Sequence, residues 1–306
     1  MDIYKVSSTG VSINYLPQYI AEKNGYFEDL GLKVETAVPN PWTKVLDDIN
    51  SGDYHAACGG IWVPNMYTAH NVRDYSSFAK ISSRCPFKLV SRQEGPFNWK
   101  DLEGKTILVP ADGGASAFIF LMGTLKKNNV DTNSIRFIHD FLDHMLVECF
   151  SNGTLGDYIF TQAISADKIT DMNRGFIVAE MATEGGEVPW SVYYSTIEVA
   201  HDERNLNGRF ALGIQKGLDY LLSHEGKDFT EIIREKWPGS NIQTSVETID
   251  RFIQEGMWSK SIEINKSEFD NYINYQIDAG IIDQSIPIDK MVDFDVLKYV
   301  KEHKVM

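Results

Sequence analysis

LPQYIAEKNGYFEDLGLKVE (Leu16–Glu35) and LDDINSGDYHAACGG (Leu46–Gly60) decide how this chain folds. In the first stretch Leu16, Ile20 and Ala21 recur at helical spacing, and Gly25 lies where a helix should end. Leu32–Val38 alternates as a strand, Pro41–Asn50 reads as a helix that Gly52 terminates, and His55–Gly60 reads as a small apolar strand. The alternation continues outward on both sides. Ile3–Ser8 precedes it as a strand; a helix at Trp62–His70 and strands at Phe78–Ser82 and Phe87–Ser91 follow. Such alternation predicts a mainly parallel sheet wrapped by helices.

A second unit starts near Trp99. Strands are expected at Lys105–Pro110, Ile135–His139, Asp157–Thr161 and Phe176–Met181, with helices at Ala115–Lys127, Asp143–Ser151 and Ser165–Met172. After Gly185-Gly186 an extended aromatic segment, Val188–Thr196, crosses back, and everything from Glu203 onward is helical in pattern. The fold class predicted is α/β, with two Rossmann-like lobes and a ligand cleft between them. Lobe 1 takes residues 1–92 plus 195–306 and lobe 2 takes residues 93–194, joined by crossings near Arg92 and Tyr194.

Composition narrows the function classes. The 306 residues are 43% hydrophobic and 24% charged, the mix of a globular protein. Lys plus Arg number 29 against 43 Asp plus Glu, a formal charge of −14. That field repels nucleic acid and anionic membranes, and no basic patch offsets it. Three cysteines, Cys58, Cys85 and Cys149, make neither a disulfide framework nor a metal-ligand spacing. His139 and His144 are separated by strand, turn and helix, so no metal site is expected, and no cofactor motif is present. The chain opens directly on a strand, with no signal-peptide pattern and no apolar run long enough to span a bilayer, so membrane insertion is not expected. A cytosolic protein starting at Met1 and a mature exported protein with a replacement methionine both fit. Numbering from Met1 favours the first.

The opening motifs, in order, resemble the sulfonate- and thiamine-pyrimidine-type solute-binding family of the type II periplasmic-binding-protein superfamily. The matching residues are Gly25-Tyr26-Phe27, Gly31-Leu32-Lys33-Val34-Glu35 and Ser51-Gly52-Asp53-Tyr54. DLEGKTILVP (Asp101–Pro110), GRFALGIQKGLDYLLSHEGK (Gly208–Lys227) and the Trp237-Pro238 break extend the likeness over nearly the whole chain. The resemblance implies a hinged clamp closing on a small organic ligand. Most members are transport receptors, which dock on an ABC permease and are exported; a few are intracellular enzymes. Fold alone does not choose between them.

Ligands in open α/β sheets bind beyond the carboxyl ends of the strands, which selects the candidate residues. Ser8 and Thr9 follow the first strand, with Tyr15 at the start of the next helix. Cys58, Gly59, Gly60 and Trp62 follow the third: glycine admits a ligand close to the backbone, and the indole offers a flat wall. Gly113, Gly114, Ala115 and Ser116 open a helix whose free N–H groups suit an anion, although Asp112 beside them opposes one. Trp190 and Tyr193 on the aromatic crossing could stack on a planar ring. Arg84 could reach a ligand carboxylate or make a surface salt bridge. The leading expectation is binding of a heteroaromatic or anionic organic solute. The alternative is an intracellular enzyme acting on a small aromatic or pyrimidine-like substrate through Cys58 or Asp112. The aromatic sulfinate desulfinases carry their cysteine on the first loop, where this chain has Ser8 and Thr9. The fungal pyrimidine synthase carries a cysteine-rich iron motif that this chain lacks.

Overall fold

A computed structural model describes residues 1–111, 114–200 and 204–304. The first lobe begins with β1 (Asp2–Ser8), α1 (Leu16–Lys23), α2 (Tyr26–Asp29), β2 (Leu32–Ala37), α3 (Lys44–Asn50), β3 (Ala56–Gly60), α4 (Trp62–Ala69) and β4 (Tyr75–Ser82). The chain then enters a second sheet through β5 (Phe87–Ser91), β6 (Thr106–Leu108), α5 (Gly114–Lys127), β7 (Arg136–Ile138) and α6 (Asp143–Ser151). β8 (Tyr158–Gln162), α7 (Ala163–Asp171), β9 (Phe176–Glu180) and α8 (Met181–Glu184) complete it. β10 (Ser191–Thr196) returns to the first sheet, and α9 (Ile197–Ala200), α10 (Leu206–Leu222), α11 (Thr230–Lys236), α12 (Ile242–Glu255), α13 (Lys266–Asp278) and α14 (Phe294–His303) follow.

The two sheets have the orders β2-β1-β3-β10-β4 and β7-β6-β8-β5-β9. Each is parallel except for one inserted strand. β10 runs antiparallel between β3 and β4, and β5 runs antiparallel between β8 and β9. Both odd strands are the first to form after a crossing between the lobes.

Two expected boundaries therefore move. Phe87–Ser91 pairs inside the second sheet, not in the first lobe where the sequence places it. Ser191–Tyr194 pairs with Ala57–Gly60 in the first sheet, not in the second lobe where the sequence places it. The crossings lie at residues 83–86 and 185–190. Hydrophobic periodicity identifies a strand but not its partner, and both strands are buried along their whole length.

The first sheet is covered by α1 and α10, whose backbones approach closely. A Cβ at Gly217 would stand 2.1 Å from the Pro17 carbonyl oxygen, so only glycine fits there. Tyr4 of β1 and Phe27 of α2 each stack on Phe210 of α10. The C-terminal helices reach both lobes. α13 pairs its buried Glu268 with Lys80 of β4, while its Tyr275 stacks on Phe120 of α5 at 4.1 Å.

Candidate functional site

Because β5 and β10 run against their neighbours, their first residues arrive where the parallel strands end. Phe87 stands in register with Gln162, and Ser191 with Gly60. Both crossings thus meet the carboxyl ends of β1, β3 and β8, the place where α/β sheets hold ligands. A cavity of ≈ 110 Å³ opens there. The first lobe contributes Thr9, Gly10, Val11, Ser12, Asn14, Tyr15 and Gly60. Ser116 and Gln162 face them from the second lobe, with Pro86, Phe87, Trp190 and Ser191 at the crossings.

The loop after β1 is tied down by its own hydroxyls. Ser8 Oγ donates to the Gly10 carbonyl at 2.9 Å, and the Thr9 N–H donates to the Cys58 carbonyl at 3.0 Å. Thr9 Oγ1 lies 3.4 Å from the Tyr15 hydroxyl. Asn14 is buried, and its Nδ2 donates to Ser82 Oγ at 3.0 Å and to Ser191 Oγ at 3.4 Å. The Trp258 indole N–H donates to the Asn14 carbonyl at 3.0 Å. Among the described lining residues none carries a formal charge; the polar groups are hydroxyls, amides and backbone. Burial, above all, raises the Tyr15 phenol, which remains a neutral O–H. Such a set can donate to and accept from a compact polar solute, with the Trp190 and Phe87 rings supplying apolar wall.

Of the residues singled out from the sequence, Thr9, Tyr15, Gly60, Ser116 and Trp190 meet at this cavity. A Cβ at Gly60 would stand 2.5 Å from Trp62 Cδ1 and 3.5 Å from Ser116 Oγ, so glycine allows the lobes to approach here. Gly59 underlies Thr9, whose methyl would be 2.7 Å from an added Cβ. Ser8 and Cys58 lie beneath the loop, paired in register and buried. Trp62 leans over Gly60 and packs edge-on against Trp42 at 6.1 Å, so it covers the glycine rather than walling the cavity. Tyr193 belongs to the core: its hydroxyl donates to Gln18 at 2.6 Å and its ring meets the edge of Phe210 at 4.9 Å. Gly114 opens α5 and Ala115 stands in its first turn without being among the described lining residues, whereas Asp112 and Gly113 lie outside the described residues. Arg84 spends its guanidinium on the Ala182 carbonyl at 2.8 Å and on Glu187. His139 sits beside Asp140, exposed and away from the cavity. Among the described residues no group of three His, Cys, Asp or Glu could hold a metal, and no helix is long and apolar enough to cross a membrane.

Gly10, Val11, Ser12, Asn14, Pro86, Phe87, Gln162 and Ser191 also line the cavity, and sequence reasoning singles out none of them. Asn14 had a discernible signal, an amide inside the loop already chosen. Gln162 had none, because its position depends on strand pairing, and Ser191 lies inside the aromatic crossing, which was selected for its rings.

The NMT1/THI5-like family model matches residues 12–227. YtlA of Bacillus subtilis (strain 168), provisionally named a binding protein, is 24% identical over 303 residues, covering 98% of this chain and 90% of its own. Among solved structures, the periplasmic aliphatic sulphonate binding protein SsuA from Escherichia coli superposes with a TM-score of 0.72 at 11% identity. That match covers 96% of this chain and 92% of SsuA. The desulfurization enzyme DSZB superposes at 0.67 and 11% identity, over 99% of this chain and 100% of DSZB. These structural likenesses place the fold among the periplasmic-binding-protein folds.

Proposed function

The chain belongs to the NMT1/THI5-like family, and from that premise we propose that it is a solute-binding protein of the ABC-import type. It captures a small heteroaromatic or anionic organic solute between its lobes. The observation that carries this reading is the cavity itself: both lobes and both crossings line it, so a solute seated there holds the lobes together. Affinity comes from neutral hydroxyl and amide groups, from the Gly60 backbone, and from the ring of Trp190. The partner implied is an ABC permease that receives the solute.

An enzyme on the same fold would need a reactive group in the cavity. Cys58 is buried beneath the first loop, and burial pushes its thiol up to about 12, so it stays protonated and is no nucleophile at neutral pH. That favours capture over catalysis.

A melting screen against pyrimidines, sulfonates, amino acids and aromatic acids tests the reading. Only the native cavity binds, so a ligand at about 100 times its Kd adds roughly 2.7 kcal/mol of stability. This appears as a rise of a few degrees in Tm for a chain of this size. A panel in which no class raises Tm would overturn the assignment.

A further inference from the structure

α12 lays one stripe of side chains, Thr248, Arg251 and Glu255, against the second lobe; spacings of three and four residues put them on one face. Opposite them stand Lys88 of β5, Asp167 of α7 and Glu180 of β9. Lys88 Nζ lies 2.9 Å from Asp167 Oδ1 and 3.1 Å from Glu180 Oε1. Thr248 Oγ1 donates to Asp167 Oδ2 at 2.9 Å, and Arg251 pairs with that same oxygen.

Lys88 and Arg251 balance Asp167 and Glu180. Glu255 is the fifth charge, and among the described residues only Lys88 and Arg251 are cations paired within this cluster. Arg84, near Gly256, gives Nη1 to the Ala182 carbonyl and Nη2 to Glu187 and has no partner for its Nε among the described residues, and Glu184 on α8 is exposed. Glu255 Oε2 is buried and finds no donor among the described residues, while its neighbour is the Glu180 carboxyl. Two carboxyl groups in contact share a hydrogen bond only when one of them keeps a proton.

The chain leaving Glu255 is hydrogen-bonded along a path that ends at the cavity. Gly256 caps the helix in the left-handed region (φ 74°), and the Met257 carbonyl accepts from the Ser83 N–H at 2.7 Å. Trp258 then donates its indole N–H to the carbonyl of Asn14, a lining residue.

We propose that Glu180 and Glu255 form a proton-held latch that seats α12 on the second lobe and, through Trp258 and Asn14, regulates the ligand cavity. Its functional meaning rests on the reading of that cavity as the solute site. Burial, then the hydrogen bond and the charge of Glu180, push Glu255 up to about 7. A carboxyl raised in the folded state stabilises it fully below the ordinary carboxylate range, and this contribution is lost as pH rises from there through about 7. Above that pH the two carboxylates repel and α12 loosens.

Proton–nitrogen correlation spectra of the ligand-free protein, taken between about pH 5 and about pH 9, test the latch. The Trp258 indole resonance, assigned with Trp258→Phe, is expected to titrate with a midpoint near 7. Glu255→Gln should fix it near its low-pH position. Glu180→Gln, which removes the neighbouring charge, should lower the midpoint by about one unit or more. A resonance that does not move in the wild type, or that titrates unchanged in Glu255→Gln, would overturn the proposal. If Glu255→Gln fails to fold, an unchanged midpoint in Glu180→Gln overturns it equally. No ligand is used, so an empty metabolite screen leaves this result standing, and a flat titration leaves the screen standing.

Discussion

Trp190→Ala is expected to destabilise the ligand-free protein by about 3–5 kcal/mol, the range for truncating a large core aromatic. The indole is only 5% exposed although it lines the cavity. Its ring meets Phe120 at 5.3 Å, Phe87 at 5.9 Å and Tyr272 at 6.1 Å, drawing together α5, β5 and α13. Those three elements cannot collapse into the gap without shifting one lobe against the other, so the cavity left behind persists. Binding of any solute found in the screen should weaken as well, by about 2–4 kcal/mol if the ring stacks on it. Urea denaturation of the apo variant and titration of its remaining affinity separate the two costs. An apo loss below about 1 kcal/mol, the size of an ordinary surface substitution or little more, would show that the ring is not interlobe packing.

Lys88→Met should cost about as much, 3–5 kcal/mol at neutral pH, because removing one partner of a buried ion pair strands the others. Lys88 is 2% exposed and contacts both Asp167 and Glu180. Without it Arg251 alone faces two carboxylates and the Glu255 carboxyl. The sign of the pH dependence follows. The stranded carboxyls take up protons more readily in the folded variant than in the unfolded chain, so the deficit should shrink as pH falls through the carboxylate range. Denaturation of both proteins at neutral and acidic pH checks this. A deficit below about 1 kcal/mol at neutral pH, or one that grows on acidification, would contradict the account.

Much of the architecture was legible because its signals are local. The helix from Leu16, the strand at Leu32 and the helix over Asp143–Ser151 follow from spacing and from Gly25. Sheet membership was not legible, since the pairings of β5 and β10 are set by contacts far away in sequence. This one gap displaced both lobe boundaries and hid Gln162. At the site, the rule about strand ends led to Thr9, Gly60 and Ser116. Of the aromatic candidates Trp190 lines the cavity, whereas Trp62 and Tyr193 do not. A large ring near a loop satisfies either a core or a ligand, and its packing partners rather than its burial tell which, since Trp190 is as buried as Trp62. Asn14 passed unnoticed because amides are common in loops, and its value comes from Ser82, Ser191 and Trp258, each remote in sequence.

The central placement of β10 also sets the order in which the lobes can be completed. Residues 87–184 are contiguous and pair only among themselves, so their sheet can close as soon as the last of them leaves the ribosome. The sheet begun first must wait: between β3 and β4 it has a gap that only residues 191–196 fill. Until then the strand edges facing that gap, including the glycine-rich end of β3, stand unpaired and open to wrong partners. The half of the protein made first is therefore the half finished last, and the nascent chain is most vulnerable while the second lobe is being made.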